Sequence, residues 1–271
     1  MRRPGESAPE SARSTPRYSG RMKTLHAPQH MSQNLDANLA TILRLKPTTV
    51  TLTEQDNGDH DNVARIRAKV GHKYHVCSGP GVKGTHDREV VVLIRKSPIR
   101  KVTAVHHFTL SAQQVSKGAN PGIANDRHMV VVEYEGPRRK YAHIGTHWNA
   151  VIQDKATGRL LSIPRAQAMD AKAGPLLEGV LARYKFEKRY VTGSADFNWR
   201  DGHEHHRDWK YAPHNILTRA GYGCAVEGLD WQFWCFGFKV VDKVVIPASK
   251  PGHPTDNHSD HPWILTTLAV R

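Results

Sequence analysis

At five places in the sequence a strand-like apolar run meets a loop carrying acidic, amide or imidazole groups. The first is Glu54, which follows PTTVTLT. A carboxylate there is a hard oxygen ligand suited to Mg²⁺, with a solvent-facing strand end as the plainer alternative. His147 and Asn149 lie in AHIGTHWNA, where both can face one loop-side cleft, although a satisfied core histidine competes with that reading. Asp196 and Asn198 lie in SADFNWRDG. The acid can hold or orient a water, and the amide can donate to a phosphate oxygen. On extended chain their spacing puts them on one side; an Asx turn is the alternative. Asp230 lies in GLDWQFW, and Asp260 and His261 sit together in HSDHPWILTTL. An adjacent Asp and His can divide the work of metal ligand or base and phosphoryl contact. Asp230 can accept from the imidazole of His261 and fix its tautomer.

These side chains are useful only if the chain folds so that the strand ends converge. A short strand is expected over MKTLHA, and a helix over residues 34–45 with Leu35, Leu39, Ile42 and Leu43 on one face. TVTLTE reads as a strand and DNVARIRAKVG as a short helix closed by Gly71. EVVVLIRK, KVTAVHHFTL, HMVVVEYE and KYAHIGTHW follow as strands, separated by Pro, Gly and Asn clusters. A helix over about 163–184, a strand over EKRYVTGSADF and a helix over PHNILTRAG come next. LDWQFWCFGF, KVVDKVVIP and WILTTLAV close the chain as strands. About eleven strands are too many for one doubly wound sheet. Two sheets packed face to face with helices outside would bury the runs that are apolar on both faces.

The order of these groups resembles the endonuclease/exonuclease/phosphatase superfamily. It runs from an acid after PTTVTLT through TH, ADFN and LDW to SDH before a terminal strand, and it covers residues 22–271. The resemblance implies an α/β fold, a four-layer α/β sandwich of two face-to-face mixed β-sheets flanked by helices. It implies a metal-dependent phosphodiester hydrolase using Mg²⁺ or Mn²⁺, with Glu54 and Asp260 near the metal. His147 then contacts the scissile phosphate, Asp196 and Asn198 position nucleophile and phosphate, and Asp230 orients His261. Asn149, Asn198 and His261 join His147 in holding phosphate. Arg127 resembles an arginine that opens a central strand in a structural role. Two departures are visible. Ala195 stands where the family has glycine, and the asparagine that ends the family's first strand is absent, leaving Gln29 as the nearest candidate metal ligand.

The charge balance bears on the class of partner. Lys and Arg number 39 against 25 Asp and Glu, a net charge of +14. Such a field concentrates polyanions, which nucleic acid or an anionic membrane surface could both exploit, with a basic tail and solvated surface as the plainer reading; nucleic acid is the expected partner, as substrate. Trp148, Trp199 and Trp209 flank the motif loops and suggest a stacking platform, with half-buried packing as the commoner fate of tryptophan. HEHHRDWK is read as a polar loop rather than a second metal site. Residues 1–21, rich in Arg, Ser, Pro and Gly, read as a disordered basic tail. Three widely spaced cysteines fit a reducing cytoplasm better than a disulfide scaffold, and no apolar run reaches membrane-spanning length. Two other readings stay open: a phosphatase or phosphodiesterase of small molecules or lipid headgroups on the same fold, and a catalytically impaired nucleic-acid-binding protein.

Overall fold

The computed structural model describes residues 20–28, 34–55, 62–81, 88–111, 127–136, 139–148, 164–200, 209–248, 259 and 261–271. Residues 111 and 164–170 are described through their backbone alone. In chain order the elements are β1 (Arg21–His26), α1 (Leu35–Leu45), β2 (Thr49–Leu52), α2 (Val63–Val70), β3 (Tyr74–Cys77) and β4 (Val91–Arg95). Then come β5 (Lys101–Ser111), β6 (Arg127–Glu135), β7 (Lys140–His147), α3 (Pro164–Phe186) and β8 (Tyr190–Asp196). The last are α4 (Pro213–Ala220), β9 (Tyr222–Glu227), β10 (Asp230–Cys235), β11 (Phe238–Ile246) and β12 (Trp263–Val270).

The strands form two mixed six-stranded sheets, ordered β11-β12-β1-β2-β4-β3 and β5-β6-β7-β8-β10-β9. Each sheet contains one parallel pair, β1 with β2 and β7 with β8, and its other pairings are antiparallel. A parallel pair needs a long crossover, and α1 and α3 provide it. Helices cover the outer faces. Leu35, Leu39 and Ile42 of α1 and Val63, Ile66 and Val70 of α2 pack on Leu25, Val50 and Leu93 of the first sheet. Leu177 and Leu181 of α3 and Ile216 and Leu217 of α4 pack on Ile144, Val191 and Phe233 of the second.

Local chemistry sets the helix limits. The buried stripe of α1 recurs at helical spacing, and the helix ends where Lys46 turns left-handed (φ 53°) with its N–H on the carbonyl of Ile42. In α4 proline opens the first turn, and left-handed Gly221 (φ 78°) donates to the carbonyls of Leu217 and Thr218.

The seam between the sheets is unusually polar at its centre. His143 bridges them, with Nε2 2.9 Å from Thr51 Oγ1 and Nδ1 2.8 Å from Thr192 Oγ1. Gln232 Nε2 donates to the carbonyls of Thr24 and Ile264 at 3.1 and 2.8 Å, and Thr266 Oγ1 donates to its Oε1. Gly145 keeps the approach close, since a Cβ there would lie 2.7 Å from Val92 Cγ2.

Twelve strands stand among the described residues, against about eleven expected. YHVC (β3) and YGCAVE (β9) were not expected as strands, and both become ordered by pairing at a sheet edge. Among the described residues no helix is long and apolar enough to cross a membrane.

Candidate active site

The topology gathers strand ends at one edge of the sandwich. The carboxyl ends of β1, β2, β7 and β8 open there, as do the starts of β4, β6, β10 and β12. Such a place, beyond the carboxyl ends of parallel strands, is where layered α/β folds form clefts. Asp196 ends β8, with His147 directly opposite on β7 and Asp230 directly opposite on β10. Residues opposite one another on neighbouring strands share a face, so register alone sets these three side by side. All three are buried, at 1 to 2% exposure.

Around this row the loops add their groups. Asp230 is held between two imidazoles: His26 Nε2 lies 2.9 Å from Oδ1, and His261 Nδ1 lies 3.1 Å from Oδ2. His261 is a quarter exposed, unlike the buried Asp230 it meets. Its backbone N–H donates to Ser259 Oγ at 3.2 Å. Asn198 is not on extended chain. It is left-handed (φ 53°), and its N–H donates 2.8 Å to Asp196 Oδ1, so the Asx turn holds. The amide side chain donates 2.8 Å to the carbonyl of Trp148 and stands 3.2 Å from His147 Nε2.

His147 has a second carboxylate behind it. Glu89 Oε1 is 2.6 Å from Nδ1, and Arg127 reaches the same oxygen through Nη1. With Nδ1–H donated to Glu89, Nε2 is left toward Asp196 Oδ2, 3.6 Å away. Arg127 therefore supports the site through Glu89, beyond its expected place at the head of a strand.

The electrostatics follow from burial and these partners. Burial pushes the Asp196 carboxyl up, and the charge of Asp230 adds to this against the pull of His147 and His261. Burial acts on Asp230 too, but hydrogen bonds from His26 and His261 outweigh it and hold the carboxyl low. Glu89, wholly buried, is likewise held below its ordinary value by Arg127 and His147. Burial and Arg127 oppose the charged form of His147, yet the carboxylates of Glu89 and Asp196 prevail and raise it. His143, one layer deeper, is pulled down to about 3 by burial and by His26.

Of the expected site residues, the structure brings together His147, Asp196, Asn198, Asp230 and His261. Glu54 reaches the same edge by its backbone: Leu52 pairs with Val91, and Gln55 N–H donates 3.0 Å to the carbonyl of Glu89. Glu54 itself is left-handed (φ 60°) and half-buried. Gln29, Asn149 and Asp260 lie outside the described residues, as do residues 1–19 and the histidines of HEHHRD. It is His26 that ends β1, and it turns inward to Asp230. The signal that could have found it is its place at the strand end, where the family has an asparagine. Glu89 could have been found as the acid just ahead of VVVLI.

The expected tryptophan platform is corrected. Trp148 and Trp199 are 2% and 1% exposed and pack into the core, Trp148 edge-on to Phe197 at 4.9 Å. Trp199 pairs with Trp209 at 5.8 Å, and its carbonyl accepts from Trp231. Neither buried ring is available to a base.

The donor set fits a hard divalent cation. Asp196 brings carboxylate oxygens to the edge that the backbone of Glu54 also reaches, and buried Glu89 Oε2 has no hydrogen-bond partner among the described residues. Ligand atoms of Asp196, Asp230 and His261 also lie within 4.8 Å of one another. Both oxygens of Asp230 are already taken by imidazoles, so the ligand role falls more naturally to the other carboxylates.

The sequence matches no protein-family model and no curated protein sequence. The fold is that of the endonuclease/exonuclease/phosphatase proteins, and solved structures carry the likeness across nearly the whole chain. One is an endonuclease/exonuclease/phosphatase from Bacteroides vulgatus, with TM-score 0.63 and 15% identity over 93% of this chain and 99% of that one. TDP2 from D. rerio, complexed with single strand DNA product, gives TM-score 0.59 and 12% identity over 92% and 99%. A mannosyl-6-phosphatase from Bacteroides thetaiotaomicron gives TM-score 0.61 and 10% identity over 92% and 99%.

Proposed function

We propose that the chain is a metal-dependent phosphodiester hydrolase acting on DNA or RNA. The observation that carries this is the row His147–Asp196–Asp230, ringed by Asn198, Glu89, His26 and His261 at one strand-end edge. A buried carboxyl with a raised pKa is a stronger base than an ordinary aspartate. Asp196 takes the proton of a water as the water oxygen attacks phosphorus, the P–O bond to the leaving alkoxide breaks, and the alkoxide takes a proton from solvent water. His261 donates from Nε2 to a non-bridging oxygen while Nδ1–H stays on Asp230, which stabilises the charged imidazole. His147 and the Asn198 amide donate to the same phosphoryl group. Donors fixed before the reaction act strongly where water is excluded.

Glu54, with Asp260, would hold Mg²⁺ or Mn²⁺. When bound, the ion would supply Lewis-acid neutralisation of the phosphoryl oxygens and the leaving group. The net charge of +14 supports a polyanionic substrate, and a neighbour of the same fold was solved with single strand DNA product. A second reading, a phosphatase of small molecules, draws on the mannosyl-6-phosphatase among the neighbours.

One panel separates them: Mg²⁺-dependent turnover of plasmid, single-stranded DNA, RNA and an abasic duplex, beside a sugar phosphate and bis(p-nitrophenyl) phosphate. Cleavage of a polynucleotide supports the nuclease reading. Turnover of the monoester alone removes it.

A further inference from the structure

The pole opposite the candidate active site collects positive charge. Strand β4 starts beside Glu89 and ends at Arg95, which pairs with Tyr74 on β3. Helices α1 and α2 end at the same pole, at Lys46 and Gly71. Two adjoining cavities open there. Lys46, His72, Lys73 and Arg95 line one of about 290 Å³. His72, Lys73, His75 and Lys96 line one of about 450 Å³. They share His72 and Lys73, and among the described residues no carboxylate lines either one. Lys101, exposed at the start of β5, follows the hairpin-like turn in which Arg100 N–H donates to the carbonyl of Ser97.

Two of these cations serve the fold. Arg95 Nη1 donates 3.1 Å to the carbonyl of Lys46, and Lys96 Nζ donates 2.5 Å to the carbonyl of Gly71. Basic groups at helix carboxyl ends are favourable for that reason alone. Lys46, His72 and Lys73 are exposed, line the cavities and are not accounted for in this way, while exposed Lys101, just beyond them, stands opposite Glu135 of β6. The charge therefore exceeds what capping two helices requires. It is spread along two open cavities, a shape suited to a succession of phosphates more than to one enclosed anion.

We propose that this groove is a second docking site for the phosphate backbone of nucleic acid, separate from the site of chemistry. It rests on the polynucleotide substrate of the preceding subsection. From Glu89 to Lys96 the chain runs roughly 23 Å, at about 3.3 Å per strand residue. At about 3.4 Å per step, that is on the order of seven steps along a B-form strand. The groove thus holds a long substrate outside the cleft and favours polynucleotides over short oligonucleotides.

The test is binding of labelled 30-mers, single- and double-stranded, to the full chain in EDTA, where cleavage does not enter. The triple variant Lys46→Gln/Lys73→Gln/Lys101→Gln should lower the slope of log Kobs against log salt by about 2–3, at 0.7–0.9 per lost contact. Its turnover of bis(p-nitrophenyl) phosphate and its melting temperature should match the parent. A control that neutralises Lys172, Lys239 and Lys243 should keep the slope. An unchanged slope in the first variant, or an equal drop in the control, overturns the groove. So does loss of binding to phosphatidylserine vesicles with oligonucleotide binding intact. A groove-dependent slope in a chain that cuts no nucleic acid leaves the groove standing and removes only the nuclease reading.

Discussion

Asp196 and Asp230 stand directly opposite each other on adjacent antiparallel strands, and their surroundings push their carboxyls in opposite directions. Burial raises Asp196, whose oxygens meet one backbone N–H and the distant edge of His147. Asp230 is equally inaccessible but accepts from two imidazoles, which hold it ionised. Paired groups with divergent acidities mark a division into proton acceptor and fixed charge.

That divergence gives opposite stability effects for one chemical change. Asp196 bears a charge that burial disfavours, so Asp196→Asn should raise the melting temperature at pH 7–8 while keeping the carbonyl that accepts from Asn198. Asp230→Asn breaks charge-assisted hydrogen bonds that contribute about 1.5–3 kcal/mol each. It should lower the melting temperature by several degrees, at about 2–4 °C per kcal/mol for a chain of this size. Differential scanning calorimetry reads both, and a shared sign would contradict the assignment.

In the proposed mechanism His26 acts through Asp230, which it meets at 2.9 Å. In His26→Ala the Asp230 carboxylate loses one anchor, and His261 is held less firmly. Turnover should fall by about 10–100-fold, the usual cost of removing a group that orients an active residue. His26→Asn should restore part of it by donating to the same oxygen. Steady-state kinetics with separate kcat and KM check this, because loss confined to kcat is what a positioning role requires.

His143 makes stability depend on pH. Its folded value is near 3 against an ordinary 6.5. Below about 6.5 the unfolded chain takes up a proton that the folded chain refuses. Stability should therefore fall as pH drops from 6.5 toward 3, by on the order of 1.4 kcal/mol per pH unit at most. His147 acts in the other direction: its raised value contributes stability that is full below 6.5 and is lost as pH climbs through that value. Urea unfolding of the parent and of His143→Gln between pH 4 and 7 isolates the first effect. The two curves should converge at the acid end and separate toward neutrality.

Much of this was legible in the sequence, for reasons that differ by residue. The helices announced themselves through Leu35, Leu39 and Ile42 at helical spacing and through the Pro213 and Gly221 boundaries of α4. Asp196, Asn198, Asp230 and His261, which the structure brings together, stood out because each sits in a local polar cluster where a strand meets a loop. His26 was not, because its partner Asp230 is 204 residues away and pairing depends on the two sheets meeting. Glu89 was missed for the same reason, since it becomes informative only beside Arg127 and His147. Trp148 and Trp199 were misleading because aromatic residues near a motif loop look alike whether they face a ligand or a core.

Metal dependence should be absolute for chemistry and slight for the fold. The fold's core is continuous without any ion, so EDTA should abolish turnover while shifting the melting temperature by no more than a few degrees. Mg²⁺ or Mn²⁺ should restore activity. Turnover that survives exhaustive chelation would remove the ion from the mechanism.

The most direct measurement is the initial rate of bis(p-nitrophenyl) phosphate hydrolysis in Mg²⁺ by the parent chain and by Asp196→Asn, with calorimetry confirming that both are folded. A drop of about 10²–10³ or more in kcat is the expected result. A rate within a factor of two of the parent would contradict the placement of Asp196 at the chemical step.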